Sequence, residues 1–340
     1  MQSNSDRLSI YGYDIKPGDR TVIMLPMPKL YNWSPLNMPV HVIRSKKPGP
    51  VLCVTAAIHG DEVNGIEIIR KLLKKKLLRK LSGTLIAVPI VNIFGFLYQD
   101  RYLMDRRDLN RSFPGSTKGS LAGRLANLVA TELLSNATHV IDLHSGSMHR
   151  TNLPQIRTNL DITSTKDLAC AFNAPVALHA TERDGSMRQY ASEQNIACLL
   201  YEGGEALRFD EFSIRTGLNG ILNVMRYLKM LPEPLFPIKK IIPTLARTSY
   251  WIRSPFSGIL RRTQALGKKI NKGDILAIIA NPTNEEEHKL LSPTEGIIIG
   301  KSNLALVHEG AALFHVACFK ELTQAAEQIE YLQKFYGEYD

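Results

Sequence analysis

A histidine and a glutamate three positions apart, His59 and Glu62, directly follow the apolar run 51–58. Imidazole and carboxylate groups are ligand types of hydrolytic zinc sites, in which three protein ligands leave one position open for water. A strand that ends at such a pair would place a metal at the carboxyl edge of a sheet, where open α/β folds bind their ligands. Because so short a motif also arises by chance, its meaning depends on what the rest of the chain brings to the same edge.

Two further candidates stand at the ends of predicted strands. His144 closes the run 139–143 and is placed to be a third metal ligand, with Asp142 as its hydrogen-bond partner. Glu202 follows the run 196–201, and a carboxylate at the same sheet edge can accept and return protons. The alternatives are a hydrogen-bonded edge histidine and a solvated glutamate.

Two motifs offer groups that bind anions. Asn110 and Arg111 lie in a loop that ends at Pro114 and Gly115. The planar guanidinium of arginine matches a carboxylate with two hydrogen bonds, and a neighbouring amide adds another, so this loop suits a substrate carboxylate. Arg188, near the start of a predicted helix, could hold a second anionic group. The alternatives are a structural role for Arg111, paired with Asp108 or at a helix end, and a surface position for Arg188.

Strands and helices must alternate to bring these side chains together. The chain alternates apolar runs at 51–58, 84–91, 139–143, 175–180 and 196–201 with helical patterns at 62–80, 120–135, 164–173, 186–194 and 210–230. This order predicts an α/β fold, a mainly parallel mixed sheet with helices on both faces. Residues 1–50 form an extended N-terminal part, with strands expected at 20–27 and 40–44.

A proline-rich segment at 232–237 breaks this alternation and is expected to be a linker. We therefore predict a first domain at 1–235 and a second at 236–340. The second contains short strand-like runs, in which 254–260 and 292–298 resemble each other, and ends in a helix at 320–336. The repeat resembles the two halves of a biotinyl/lipoyl-type β barrel-sandwich.

The bulk composition is that of a globular protein, with 340 residues, 44% hydrophobic and 22% charged. No apolar run reaches the 18 or so residues of a membrane span, and the first seven residues are polar. Four widely spaced cysteines favour a reduced, cytoplasmic protein. Much of the net charge of +10 lies in 70–80, where an apolar stripe predicts a helix with a solvated basic face. We therefore expect neither a nucleic-acid nor a membrane partner.

Taken together, these motifs resemble the succinylglutamate desuccinylase/aspartoacylase family, within the zinc carboxypeptidase-like superfamily. The resemblance rests on Ala57-Ile58-His59-Gly60-Asp61-Glu62, on 107–115 and on the later His144 and Glu202, and it extends over about residues 10–320. It implies that His59, Glu62 and His144 bind one zinc ion per chain and that Glu202 is the general base and acid. It also implies that Asn110, Arg111 and Arg188 bind substrate carboxylates. The scissile carbonyl would be polarised by Arg101, with Arg106 as the alternative.

The resemblance also implies the reaction. It indicates hydrolysis of the amide bond of a small anionic N-acyl amino acid, of acetyl or succinyl type, with the C-terminal barrel leaning over the site. A metallocarboxypeptidase acting on short peptides and a non-catalytic metal-binding homologue are the alternatives. The acyl group, the amino acid and the oligomeric state, a homo-oligomer included, stay open at this point.

Overall fold

The structure is a computed structural model that describes residues 7–234 and 244–337. Within these ranges, thirteen strands form one large sheet, two form a small N-terminal sheet and four form a separate C-terminal sheet. The predicted domain boundary at residue 235 and the second half of the predicted linker lie outside the described residues.

The N-terminal segment is extended, as predicted. Its strands are β1 (Leu8–Ile10), β2 (Tyr13–Ile15), β3 (Arg20–Met27) and β4 (Leu36–Arg44). β1 and β2 pair with each other, whereas β3 and β4 form an antiparallel pair at one end of the large sheet. Alternate residues of β3 are buried, as expected for a strand with one solvent-facing side.

The middle of the chain alternates strands and helices, which confirms a mixed α/β fold. Its elements are β5 (Val51–Ala56), α1 (Asn64–Leu73), β6 (Thr84–Val88), α2 (Ile93–Tyr98), α3 (Leu121–Leu128), β7 (His139–Gly146), β8 (Arg150–Thr158), α4 (Thr163–Phe172), β9 (Val176–His179), α5 (Met187–Glu193), β10 (Ala197–Glu205) and α6 (Glu211–Tyr227). β6, β5, β7 and β10 lie side by side and are all parallel.

Helices cover both faces of these parallel strands. Successive residues of β5 point into different apolar cores: Cys53 packs in one, with residues of α3 and α5, and Leu52 and Val54 pack in the other, with residues of α1, α4 and α6. Strands buried on both faces explain why these runs are apolar along their whole length rather than alternating. Among the described helices, none is long and apolar enough to cross a membrane.

One predicted helix differs from the structure, and the observed strand β8 has no counterpart among the predicted elements. The helix expected at 62–80 stops at Leu73 and resumes as a 3₁₀ turn at Lys76–Lys80, because Lys75 has an extended backbone. β8 was not predicted, since its polar sequence and Pro154 disguise a strand. β8 pairs antiparallel with β10, so the large sheet is mixed at this side of its parallel centre.

The C-terminal segment continues the large sheet and adds the smaller one. Its elements are β11 (Thr244–Ala246), β12 (Thr248–Arg253), β13 (Gly258–Arg261), β14 (Lys269–Ile270), β15 (Ile275–Ala280), β16 (Glu287–Leu291), β17 (Gly296–Ser302), β18 (Leu306–Val307), β19 (Ala312–Cys318) and α7 (Leu322–Gly337). β17 pairs antiparallel with β8, so hydrogen bonds join the C-terminal strands to the α/β part of the chain. The terminal helix expected at 320–336 is confirmed.

The predicted internal repeat is visible as two matching turns. Ser254 and Ser292 are both 2% exposed, and the hydroxyl of each donates to the carbonyl two residues later. The backbone N–H of Gly310 donates to Ser254 O, and that of Gly273 donates to Ser292 O, each at 2.8 Å. Each half therefore supplies an equivalent turn next to an equivalent glycine, as a duplicated unit would.

Candidate metal centre and active site

The register of the parallel strands places the predicted residues at one edge of the sheet. β5, β7 and β10 run in the same direction, and His144 of β7 lies directly opposite Glu202 of β10. The β7–β10 register shifts just after Glu202, and such an irregularity often redirects a side chain near a functional site. His59 and Glu62 lie between the end of β5 and the start of α1.

The loop that carries His59 depends on a close approach between two backbone segments. A Cβ atom on Gly60 would lie 2.0 Å from the carbonyl carbon of Gly95 in α2. Ala57, at the end of β5, has a φ of 51°, a left-handed conformation that is uncommon for a residue with a side chain. The chain therefore turns sharply after β5, and α2 packs directly against the loop.

His59, Glu62 and His144 form a compact group. One candidate ligand atom from each residue lies within 4.8 Å of the others. His59 Nδ1 is 2.8 Å from Glu62 Oε1, and His144 Nδ1 is 3.0 Å from Glu62 Oε2. All three residues are at most 4% exposed. The fold therefore brings His59 and His144, which are 85 positions apart in the sequence, together with Glu62 in one buried group.

Each imidazole is also held from its other side by a carboxylate. His144 Nε2 lies 2.7 Å from Asp142 Oδ2, and His59 Nε2 lies 3.1 Å from Asp108 Oδ1. Asp142 also accepts a hydrogen bond of 2.7 Å from the hydroxyl of Thr55. A carboxylate on the far nitrogen orients a metal-binding imidazole and raises its basicity. The Nδ1 atoms are consequently the two that are directed toward Glu62.

The charges in this group stabilise one another. Burial disfavours ionised Glu62, but the neighbouring His59 and His144 outweigh it and lower the pKa of Glu62. Burial likewise disfavours charged imidazoles, whereas Glu62 and Asp108 raise the pKa of His59. The pKa of His144 is raised well above its ordinary value, against burial, by Asp142 and Glu62. Each carboxylate therefore favours the charged form of the imidazole that it contacts, and the two imidazoles favour ionised Glu62.

These features fit a divalent transition metal. Two imidazoles and one carboxylate are the donor set of a three-ligand zinc site, and both imidazoles have the carboxylate partners usual in such sites. Metal binding would displace any proton that lies between each Nδ1 atom and Glu62, so that the two imidazoles and the carboxylate would direct their electron pairs at the cation.

Glu202 lies beside this group and has two partners. The amide of Asn152 donates to Glu202 Oε2 at 2.6 Å, and Arg157 Nη1 lies 3.6 Å from Oε1. The Glu202 side chain is 14% exposed. It lines the same cavity as His59 and His144, so a small molecule in that cavity can contact the carboxylate and the histidines together.

Of the two arginines considered for the scissile carbonyl, Arg101 is the one at the cavity. Its guanidinium lies 3.3 Å from Glu62 Oε1 and 2.9 Å from Asp108 Oδ2. Arg106 is exposed and does not line the cavity. Asp108 therefore contacts both His59 and Arg101. The sequence suggested Asp108 only as a possible partner for Arg111.

Asn110, Arg111 and Arg188 line the cavity too, and backbone atoms hold each of them in place. Asn110 Oδ1 accepts a hydrogen bond of 2.9 Å from the N–H of Met187 at the start of α5. Arg111 donates to the carbonyl of Asn110. Arg188 is 8% exposed and donates to Ala180 O at 3.0 Å and to Thr181 O at 2.5 Å.

The cavity encloses about 220 Å³, which suits a small ligand. It has lining residues that the sequence did not reveal: Arg150, Asn152, Arg157, Arg183 and Trp251. Three of these belong to β8, which was missed because its sequence lacks a clear apolar period. Trp251 comes from β12. In the sequence it is marked only as a large aromatic residue, and its partial exposure is evident only in the structure.

Trp251 forms the centre of a stack at the cavity wall. The ring of His315 lies parallel to it at 4.4 Å between centroids, and the guanidinium carbon of Arg150 lies 5.4 Å from the ring. The C-terminal segment therefore supplies part of the cavity wall through Trp251 of β12, with His315 of β19 stacked on it.

Comparison with known proteins identifies the family. The model of the succinylglutamate desuccinylase/aspartoacylase catalytic domain matches residues 48–228. The chain belongs to this family. It is 29% identical over 266 residues to an N-alpha-acetyl-L-2,4-diaminobutyric acid deacetylase from Halomonas elongata, a match that covers 74% of this chain and 76% of that protein.

Solved structures agree in fold. A succinylglutamate desuccinylase/aspartoacylase from Rhodobacter sphaeroides aligns with a TM-score of 0.80 at 23% identity, covering 88% of this chain and 96% of that one. The product-bound ectoine utilisation protein EutE (DoeB) from Ruegeria pomeroyi aligns with a TM-score of 0.80 at 23% identity, covering 92% of this chain and 99% of that one. Both alignments extend well beyond residues 48–228, so the C-terminal segment belongs to the shared fold.

Proposed function

We propose that the protein is a zinc-dependent deacylase that hydrolyses the amide bond of a small, anionic N-acyl amino acid. The observation that carries this proposal is the buried group His59, Glu62 and His144, with Glu202 in register beside it in one cavity. Family membership and the named activity of the Halomonas elongata relative support the reaction class.

The three buried residues would hold the metal. A zinc ion bound by His59, Glu62 and His144 would supply Lewis acidity at a position left open for the reacting groups. Asp142 and Asp108 keep the imidazoles oriented, so the ligands need little rearrangement.

Glu202 would handle the proton. As water attacks the acyl carbon, the Glu202 carboxylate accepts one of its protons; as the carbon–nitrogen bond breaks, it returns that proton to the leaving amine. The products are a carboxylate and a free amino acid. Arg101 would donate to the carbonyl oxygen as negative charge develops there, and its two carboxylate partners already fix its guanidinium.

Asn110 and Arg111 would bind the carboxylate of the amino acid. Because Asn110 Oδ1 is occupied by the N–H of Met187, its amide nitrogen is the atom available to donate to a ligand. Arg111 adds a positive charge at the same wall, and Arg188 would serve a second anionic group.

The charge of the cavity narrows the substrate class. Among the described residues, four arginines that line the cavity form no ion pair: Arg111, Arg150, Arg183 and Arg188. Unpaired positive charges in a small cavity favour a ligand with a carboxylate beyond that of the amino acid, on its side chain or its acyl group. They disfavour a cationic side chain such as that of diaminobutyric acid, named for the relative.

A substrate screen with a base variant tests the proposal. The zinc-loaded protein is assayed against N-acetyl and N-succinyl derivatives of acidic, neutral and basic amino acids, and against short peptides. We expect turnover of acidic N-acyl amino acids. Glu202→Gln should keep about one zinc per chain and lose roughly 10²- to 10⁴-fold in kcat.

Glu205→Gln is the matched control, because Glu205 lies on the same strand and interacts with Arg208 and Asn303 instead. It should retain activity. Undiminished turnover by Glu202→Gln, or a zinc-loaded protein that is silent across the whole panel, would contradict the proposed function. Preference for peptides would indicate a carboxypeptidase instead.

A further inference from the structure

Asn152 is a buried amide in direct contact with the proposed base. It lies in β8, is 6% exposed, and donates from Nδ2 to Glu202 Oε2 at 2.6 Å. A carboxylate only accepts hydrogen bonds, so the amide nitrogen must be the atom that faces it. A short hydrogen bond to an ionised acceptor is among the stronger polar contacts in a protein.

The second oxygen of Glu202 is held less closely. Arg157 Nη1 lies 3.6 Å from Oε1, beyond the range of a good hydrogen bond. Asn152 and Arg157 both belong to β8, the strand next to β10. Of the two contacts, the neutral amide is the one whose distance and direction define where the carboxylate points.

Asn152 is itself positioned by a strand of the C-terminal segment. It lies directly opposite Gly300 of β17. A Cβ atom on Gly300 would come within 2.8 Å of Asn152 Oδ1 and within 3.2 Å of the Cβ of His315. No side chain fits there without moving the amide or its neighbours, so the missing side chain at Gly300 leaves Asn152 the room it occupies.

We propose that Asn152 is a positioning residue that orients the Glu202 carboxylate for proton transfer, and that Gly300 makes this placement possible. The C-terminal segment thereby influences the reaction through a chain of contacts from β17 to β8 to β10, in addition to walling the cavity. This inference rests on the proposed function, because it assigns Asn152 a purpose only if Glu202 acts as the base.

Two substitutions separate orientation from packing. Asn152→Asp keeps the shape of the side chain but replaces the donor by an acceptor next to a carboxylate, whereas Asn152→Ala removes both shape and donor. A packing role predicts that the alanine variant is the worse of the two. An orienting role predicts that kcat falls roughly 10- to 100-fold in Asn152→Ala and at least as far in Asn152→Asp. KM should change by less than about 3-fold and zinc content should be unchanged, because neither depends on this contact.

Asn303→Ala is the matched control. Asn303 also donates its amide to a glutamate of β10, at 3.0 Å, but the acceptor is Glu205. This variant should keep wild-type kcat. Equal kcat in Asn152→Ala and Asn303→Ala, or near wild-type kcat in Asn152→Asp, would overturn the inference.

Gly300→Ala tests the supporting position without changing Asn152 or Glu202. We expect kcat to fall about 3- to 30-fold at unchanged zinc content. Gly123→Ala is its control, because a Cβ there meets its nearest neighbour at an ordinary 3.5 Å. Unchanged kcat in Gly300→Ala would overturn the role of Gly300. If neither Asn152 variant folds, this variant alone tests the inference, and unchanged kcat then overturns it.

The two proposals fail in different ways. If Glu202→Gln remains active, the proposed function is wrong. If Glu202→Gln is inactive while the Asn152 variants behave like Asn303→Ala, the proposed function survives and only the role of Asn152 is wrong.

Discussion

His315 should make the stability of the protein fall as the solution becomes acidic. Its ring is 4% exposed, stacks on Trp251 and shares a hydrogen bond of 2.9 Å between Nε2 and the hydroxyl of Ser249. Its Nδ1 atom is buried without a hydrogen-bond partner. Burial, reinforced by the charges of Arg157 and Arg183, lowers the pKa of His315 to about 3.

The sign follows from proton uptake. His315 in the unfolded chain binds a proton as the pH falls through about 6.5, whereas in the folded protein it stays neutral until about 3. The unfolded state therefore binds more protons within this window, and the free energy of unfolding decreases as the pH falls. Between pH 7.5 and pH 5 the loss is about 2 kcal/mol, and across the whole window it approaches about 5 kcal/mol as an upper limit.

Urea unfolding of the wild type and of His315→Gln at pH 7.5 and pH 5 measures this contribution. The variant cannot titrate at this position, so its loss of stability on acidification should be smaller by about 2 kcal/mol. All other titrating groups, including His59 and His144, cancel in the comparison. His308→Gln, at an exposed histidine, should lose as much as the wild type. An equal loss in His315→Gln and the wild type would refute the reasoning.

Two further predictions concern the metal and the substrate. Asp142→Asn should weaken zinc binding about 10- to 100-fold, because His144 loses a carboxylate partner at 2.7 Å. Competition with a chelator measures this affinity. The control Asp161→Asn changes an exposed ion pair and should bind zinc as the wild type does. Arg150→Gln should raise KM about 10-fold for substrates with two carboxylates and much less for substrates with one. Arg79→Gln, at the surface, should change neither KM value. An equal change for both kinds of substrate would show that Arg150 does not bind the second carboxylate.

Residue type and spacing drew attention to four of the residues proposed for the chemistry, and in the structure these four line one cavity. His59, Glu62, His144 and Glu202 each follow an apolar run, and every one of these runs is a parallel strand in the structure. The carboxyl ends of parallel strands lie at a common edge, so residues in the last positions of these strands or just beyond them meet regardless of their separation along the chain. The central strands and the alternation with helices were predictable for the same reason, since strands buried on both faces are apolar throughout.

The surroundings of those residues were not predictable, because they depend on pairing between distant segments. β8 has a polar sequence, and only its pairing with β10 and β17 makes it a strand of the large sheet. That pairing brings Asn152 to Glu202 and Arg150 to Trp251. The choice between Arg101 and Arg106 also required the structure, because both lie near Asp108 in sequence and only one is directed into the cavity.

Local sequence therefore determines the strand ends and the chemical groups that they carry. The tertiary structure decides the partners of those groups: Asp108 shared between His59 and Arg101, Asn152 on Glu202, and Trp251 from the C-terminal segment at the cavity wall. The physical reason is that burial and strand periodicity act over a few residues and leave a pattern in the chain. Strand pairing joins segments about 150 residues apart, as at Asn152 and Gly300, and leaves almost no such pattern.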